Sequence, residues 1–161
     1  MFGLDTNILV RYITRDDPHQ SELARIVIEG AEKEGRRLHI STMVLVELVW
    51  VLRSGVYRFG RESVAEVLEL ILESPVFEVQ DRDLVRPAVA QFRMGPADFS
   101  DYLIGEQDRK AGCTATLTFD RRLAKSQSFE IPEGGPYPTG EDSRVSEPGG
   151  RYENGVDTKN V

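Results

Sequence analysis

A single cysteine, Cys113, in 161 residues leaves no partner for an internal disulfide. It fits a reducing compartment or a small buried apolar position. Basic residues are missing where a signal peptide would need them: Met1 to Val10 carries Asp5 and neither lysine nor arginine. No uncharged apolar run approaches the roughly 20 residues that cross a bilayer, so no membrane segment is expected and the chain reads as cytoplasmic. Histidine is scarce too. His19 and His39 have no paired ligand spacing, and neither is assigned to a metal. Excess positive charge is absent, since the net charge is −7, which at first argues against a polyanionic partner. The distribution softens that. Residues 130–161 hold seven acids and three bases, and residues 1–129 hold twenty acids and seventeen bases. If four of the latter acids ligate cations, the rest of the domain is slightly positive.

What is present suits one soluble domain: 40% hydrophobic and 29% charged residues. Phe2 to Asp5 reads as a short buried strand that Thr6 and Asn7 turn into a helix. Asp17-Pro18 starts another helix, with an N-cap and a proline at the first helical position, running to Gly35 with Leu23, Ile26, Val27 and Ala31 on its face. A strand over Arg37 to Ile40 is followed by a helix that Ser41 or Thr42 can cap. Arg61 to Glu73 is a helix with Val64, Val67, Leu68 and Ile71 on one face. Val76 to Val79 is a third strand. Asp81 caps a helix that Pro87 bends or delays, and Gly95-Pro96 breaks the chain. Asp98 opens a helix to Ala111, stopped by Gly112. Ala115 to Phe119 is a strand, Asp120 opens a short helical turn, and Ser128 to Ile131 is a last edge strand. Strands alternating with helices predict an α/β three-layer sandwich, a central parallel sheet flanked by helices, over residues 1–131. From Pro132 to residue 161 the chain holds four of the eight prolines and six of the fourteen glycines without apolar periodicity. A disordered C-terminal tail is expected there.

The acids carry the functional signal. In an open parallel sheet, ligands bind beyond the carboxyl ends of the strands, and Asp5 and Asp120 each end a strand. Either could simply be a helix N-cap. Met43 to Leu52 contains nine apolar residues and one carboxylate, Glu47. A helix apolar all round is buried, and a buried carboxylate must be paired, protonated or bound to metal. A structural ion pair, or a strand with Glu47 facing outward, would be the bland alternatives. Asp98 and Asp101 share the first turn of one helix. Asp98 suits a capping box, while Asp101 can face the crevice. Carboxylates gathered in one crevice repel each other unless a cation is present. An all-oxygen set suits Mg²⁺ or Mn²⁺, which hold phosphate oxygens, acidify water and stabilise in-line displacement. Hydrolysis of a phosphodiester is the reaction implied.

Leu4-Asp5-Thr6-Asn7, Ser41 to Trp50 with Glu47, Asp98 to Ile104, and Thr118-Phe119-Asp120-Arg121 occur in the order and spacing of four motifs. Together they resemble the PIN-domain proteins over residues 1 to about 131, and the small size resembles the VapC toxins. The resemblance implies a parallel sheet flanked by helices, a divalent-metal site, endoribonuclease activity on RNA, a cognate antitoxin and a homodimer. It implies Asp5 and Asp101 as principal metal ligands and Glu47 as a ligand or the group orienting the attacking water. Asp120 would complete the site, Asp98 would be accessory, and Thr6 and Thr118 would orient carboxylates from behind.

Arg11, Arg15, Arg121, Arg122 and Lys125 follow the site acids and could contact phosphates or serve as solvated helix faces. Trp50 and Tyr102 could stack bases, but core packing is the stronger expectation. A haloacid-dehalogenase-like phosphatase also begins with an aspartate ending its first strand, but its second acid two positions on is here Asn7. Gly55 to Gly60 has the glycine spacing of a phosphate loop, yet Arg61-Glu62 replaces the Lys-Ser/Thr that phosphate and Mg²⁺ need. A PIN-like domain that only binds RNA or protein is the non-enzymatic alternative.

Overall fold

The computed structural model describes residues 1–126 and 128–132. The expected tail, apart from Pro132, lies outside the described residues. Strands β1 (Phe2–Gly3), β2 (Leu38–Ile40) and β3 (Phe77–Val79) form a parallel sheet in that order. Strands β4 (Thr116–Leu117) and β5 (Phe129–Glu130) form a second parallel pair. Between and around them run helices α1 (Thr6–Thr14), α2 (Pro18–Lys33), α3 (Thr42–Arg53), α4 (Arg61–Glu73), α5 (Arg82–Met94) and α6 (Phe99–Lys110). This is the α/β three-layer arrangement expected, with the strands shorter than read from sequence. Parallel strands need long crossovers, and helices supply them.

The register explains the core. Leu38 pairs with Phe77 and Ile40 with Val79, so each strand sends its two buried residues to the same side, while His39 and Glu78 are only half-buried between them. α4 has the bounds the sequence predicts, and Val64, Ala65, Leu68, Ile71 and Leu72 are its buried face. Phe92 and Phe99, both fully buried, meet edge to face at 6.2 Å and join α5 to α6. Burial of such side chains contributes about 2 kcal/mol each. Asp17 caps α2 by accepting from Gln20 N at 2.9 Å, with Pro18 at the first position as expected. Ser41 caps α3 in the same way through Val44 N.

Several expectations are corrected. α2 buries Ala24, Ile28 and Ala31, while Leu23, Ile26 and Val27 are exposed. The face against α1 is the one with small residues, which let two helices approach closely. α3 is not apolar all round in its surroundings. Leu45, Leu48, Val49 and Leu52 are buried, but Met43, Glu47 and Trp50 lie exposed on its other side. Cys113 is exposed rather than buried. Pro87 sits inside α5 without delaying its start. The carbonyl it leaves without a helical donor belongs to Asp83, an exposed residue that water can reach. Asp81 stands at the N-cap of α5 in the left-handed region, but its carboxylate binds Lys110 at 2.8 Å and makes no cap bond.

The loop from Gly95 to Asp98 is tightly fixed. Arg61, the first residue of α4, donates to the carbonyls of Phe92 at 2.6 Å, Ala97 at 2.8 Å and Pro96 at 3.3 Å. Its guanidinium stands 4.5 Å from the centre of the Phe92 ring. The Tyr102 hydroxyl accepts from Ala97 N at 3.3 Å and lies where a Cβ on Gly95 would be, 1.9 Å away. Tyr102 is therefore core, as expected. Arg61 is engaged in holding this loop, which removes the phosphate-loop reading of Gly55 to Gly60.

Candidate active site

The sequence acids stand where the topology predicts. Asp5 follows β1 and is the N-cap residue of α1, but its side chain makes no cap hydrogen bond. Its carboxylate receives a long hydrogen bond from Asn7 Nδ2 at 3.4 Å. Capping therefore does not account for Asp5. Thr6, next in the chain and buried, donates from Oγ1 to Glu47 Oε2 at 2.5 Å. That bond ties the start of α1 to the middle of α3. Glu47 is exposed, so the burial argument made for it from sequence does not hold. It faces a groove instead.

The groove has a volume of about 590 Å³ and lies between α3 and the start of α6. Met43, Glu47, Trp50 and Arg53 line it from α3, and Asp98 and Ser100 from the other side. Arg53 forms an ion pair with Asp98 across it. Asp98 is the N-cap residue of α6, and Asp101 Oδ2 reaches back to accept from Asp98 N at 3.0 Å in the manner of a capping box. The expectation for Asp98 is visible, but Asp101 turns its carboxylate back onto the Asp98 N–H and is not among the residues lining the groove, where the sequence reading had it face. Asp98 starts the helix, and Asp101 adds charge to the same turn.

Asp120 follows β4. Its Oδ1 accepts from Arg122 N at 2.8 Å, and the Arg122 side chain grips both carboxylate oxygens, with Nη2 at 2.6 Å from Oδ2. The Arg122 guanidinium, helped by its own backbone N–H, holds the Asp120 carboxyl below the usual carboxylate range. The effect is mutual: Asp120 raises the guanidinium, and Asp98 and Asp101 add smaller attractions from α6. Thr118 Oγ1 accepts from Asp120 N at 3.0 Å, so it fixes the backbone of that residue rather than its carboxylate.

Contacts therefore tie the Asp5–Thr6 turn to Glu47, and the groove sets Glu47 opposite Asp98, whose helix also carries Asp101, while Asp120 pairs with Arg122. Among the described residues, no three His, Cys, Asp or Glu side chains stand together as a finished ligand set. Each carboxylate has turned onto a donor of its own, the arrangement that relieves repulsion between like charges. The donors nevertheless fit a hard cation. All are carboxylate oxygens, and one of them, Asp120, already holds a cation, the Arg122 guanidinium.

Sequence reasoning missed Arg53 and Arg122 as partners of the acids. It also assigned Trp50 to the core, where the structure leaves it 73% exposed. The signal was available. Met43, Val46, Glu47, Trp50, Arg53 and Ser54 follow helical spacing, so they make one mixed face on a helix whose opposite face is purely apolar. Of the basic candidates, Arg11 is bound to Asp16, Gln20 and Tyr57. That leaves it committed to a structural cluster away from the acids.

The family model described as PIN domain matches residues 3–127 of this chain. A protein described as VapC ribonuclease from Aquifex aeolicus (strain VF5) is 29% identical over 122 residues, which span 76% of this chain and 89% of the relative.

Proposed function

This chain belongs to the PIN-domain family, and on that premise we propose that it is a metal-dependent endoribonuclease, the toxin of a toxin–antitoxin pair. The observation that carries the reading is the groove that sets Glu47 of α3 opposite Asp98 of α6, with Thr6 tying Glu47 to the start of α1 beside Asp5. Asp5 follows β1 and Asp120 follows β4, and in such folds ligands bind beyond the carboxyl ends of parallel strands, which supports this reading. The likeness to the VapC ribonuclease supports RNA as the substrate class and a cognate antitoxin as the partner. A homodimer and a cytoplasmic setting belong to the same proposal. No helix among the described residues is long and apolar enough to cross a membrane.

Asp5 and Asp101 would be the principal holders of Mg²⁺ or Mn²⁺, with Asp120 and Glu47 completing the set and Asp98 accessory. The ion, when bound, supplies phosphoryl polarisation and a more acidic water. The remaining work falls to the chain itself. Thr6, by donating to Oε2, fixes the Glu47 carboxylate at the edge of the groove, where its other oxygen would be free to accept a proton from the attacking water. Ser41 and the apolar face of α3 fix the helix that carries it. Arg61 and Tyr102 fix the loop that delivers Asp98 and Asp101. Arg122 supplies a positive charge able to exchange a carboxylate for a phosphate oxygen.

Metal-dependent cleavage of a labelled RNA by the wild-type chain, lost in Asp5→Asn and Asp101→Asn while both variants stay folded, is the expected result. Equal cleavage by all three proteins would remove the assignment.

A further inference from the structure

Trp50 stands at the centre of an observation the proposed cleavage does not use. It is the single tryptophan of the chain, and it is 73% exposed on a helix that buries Leu45, Leu48, Val49 and Leu52 on its other side. Met43, two turns away on the same face, is 75% exposed. Isolated exposed apolar residues are ordinary, but these two are not isolated. They line one groove with Glu47, Arg53 and Asp98, so the apolar surface is continuous with the acidic site. Its volume, about 590 Å³, lies within the range of ligand-binding clefts.

We propose that Trp50, backed by Met43, is a stacking platform for one base of the RNA strand beside the phosphodiester to be cut. The inference rests on the nuclease reading above and names a contact within it. Three considerations select a base over other occupants. Trp50 and Glu47 are three residues apart on α3, which places them side by side, roughly 5–6 Å apart at their Cβ atoms. A strand laid across the acidic site must therefore put an adjacent nucleotide over the indole. The charged walls of the groove are carboxylates, Glu47 and Asp98, and Arg53 is already committed to Asp98. A second phosphate would be repelled there, whereas the neutral base is not. The indole face accepts any base, because stacking uses the π-surface rather than hydrogen-bonding edges. The platform would thus strengthen binding next to the cut without reading sequence.

The position of Trp50 makes the test local. With no other tryptophan in the chain, the intrinsic fluorescence reports this groove alone. The full chain is titrated in EDTA, where cleavage is blocked, with a short mixed-sequence single-stranded RNA and with an abasic strand of the same length. Saturable quenching by RNA, with little from the abasic strand, is expected. Labelled RNA followed by anisotropy should bind Trp50→Ala roughly tenfold more weakly or worse, and Trp50→Phe nearly as well as wild type. Equal quenching by the abasic strand, or unchanged RNA affinity in Trp50→Ala, would overturn the platform. A spectral shift driven by protein concentration alone would also overturn it, by showing that a second copy of the chain covers the groove. None of these readings requires catalysis. Quenching and weakened Trp50→Ala binding in a chain that never cleaves would support the platform and remove the nuclease reading. Cleavage with unchanged binding in Trp50→Ala would remove only the platform.

Discussion

Two acidic clusters in this molecule are built on opposite plans. Around Asp16, every carboxylate oxygen is served by the protein: Thr14 Oγ1 donates to Oδ1 at 2.8 Å, while Tyr57 Oη and Arg11 Nη1 donate to Oδ2 at 2.7 and 2.6 Å. Tyr57, then Thr14, with Arg11 adding, hold that carboxyl well below the ordinary range. Around Glu47, Asp101 and Asp5, each carboxylate has one donor or a single long contact. The first plan spends its hydrogen bonds on fixing α1 against the turn that carries Tyr57. The second keeps acceptor capacity in reserve at the ends of strands and the starts of helices. A saturated carboxylate stabilises a fold, and an unsaturated one remains able to bind something.

Substitutions can break or sharpen that contrast. The largest effect is expected at Asp101→Asn, with RNA cleavage down about a thousandfold or more. Its thermal midpoint should stay close to wild type, and calorimetry should show weakened Mn²⁺ binding. A large loss of stability instead would place Asp101 in the structural class.

Thr6→Val keeps shape but removes the donor to Glu47. A fall of roughly ten- to hundredfold in cleavage is expected, the usual scale for groups that orient a site carboxylate. Circular dichroism should show the fold retained, and unchanged kcat/KM would mean that Glu47 needs no orienting.

Asp16→Asn should do the reverse, lowering the melting temperature at pH 7 while leaving cleavage unaltered. The pH dependence has a definite sign. Because the folded carboxyl is depressed below the ordinary value of about 3.8, its stabilisation is present above that value and fades as pH falls through the lowered one. The gap between wild type and Asp16→Asn should therefore persist at pH 7 and pH 5 and close in stronger acid. A gap independent of pH would mean that the cluster acts by packing.

The smallest effect is expected at Arg122→Ala. Removing the guanidinium from among Asp98, Asp101 and Asp120 should raise Mn²⁺ affinity by about two- to fivefold, the scale of exposed ion pairs. Isothermal titration is the measurement. A fall in affinity would show that Arg122 gathers the acids rather than competing for them.

Much of the fold was legible because local rules agreed with one another. α4 has the predicted bounds, since a single apolar stripe over Val64, Leu68 and Ile71 decides it. The Asp17-Pro18 start of α2 is likewise a local signal that the structure keeps. What failed needed knowledge of neighbours. The sequence put Leu23, Ile26, Val27 and Ala31 on the buried face of α2, whereas the structure buries Ala24, Ile28 and Ala31, so only Ala31 is kept. Glu47 was singled out for a reason the structure does not keep. Its helix is apolar in composition but has one side open to the groove, so exposure rather than burial makes its oxygen available. The partner Arg53 was invisible because its pairing with Asp98 depends on how α6 sits against α3, whereas Arg122 lies only two residues from Asp120 and its pairing was a local signal left unread.

Arg61 shows how far from a reaction centre its tolerance to change can be set. One planar group spans three carbonyls, so lysine, with a single compact charge, offers no equivalent substitute. Inheritance at this position is thereby narrowed by geometry rather than by charge. A conservative-looking exchange at the first residue of α4 would leave the helices standing and loosen the spot from which α6 aims its two aspartates.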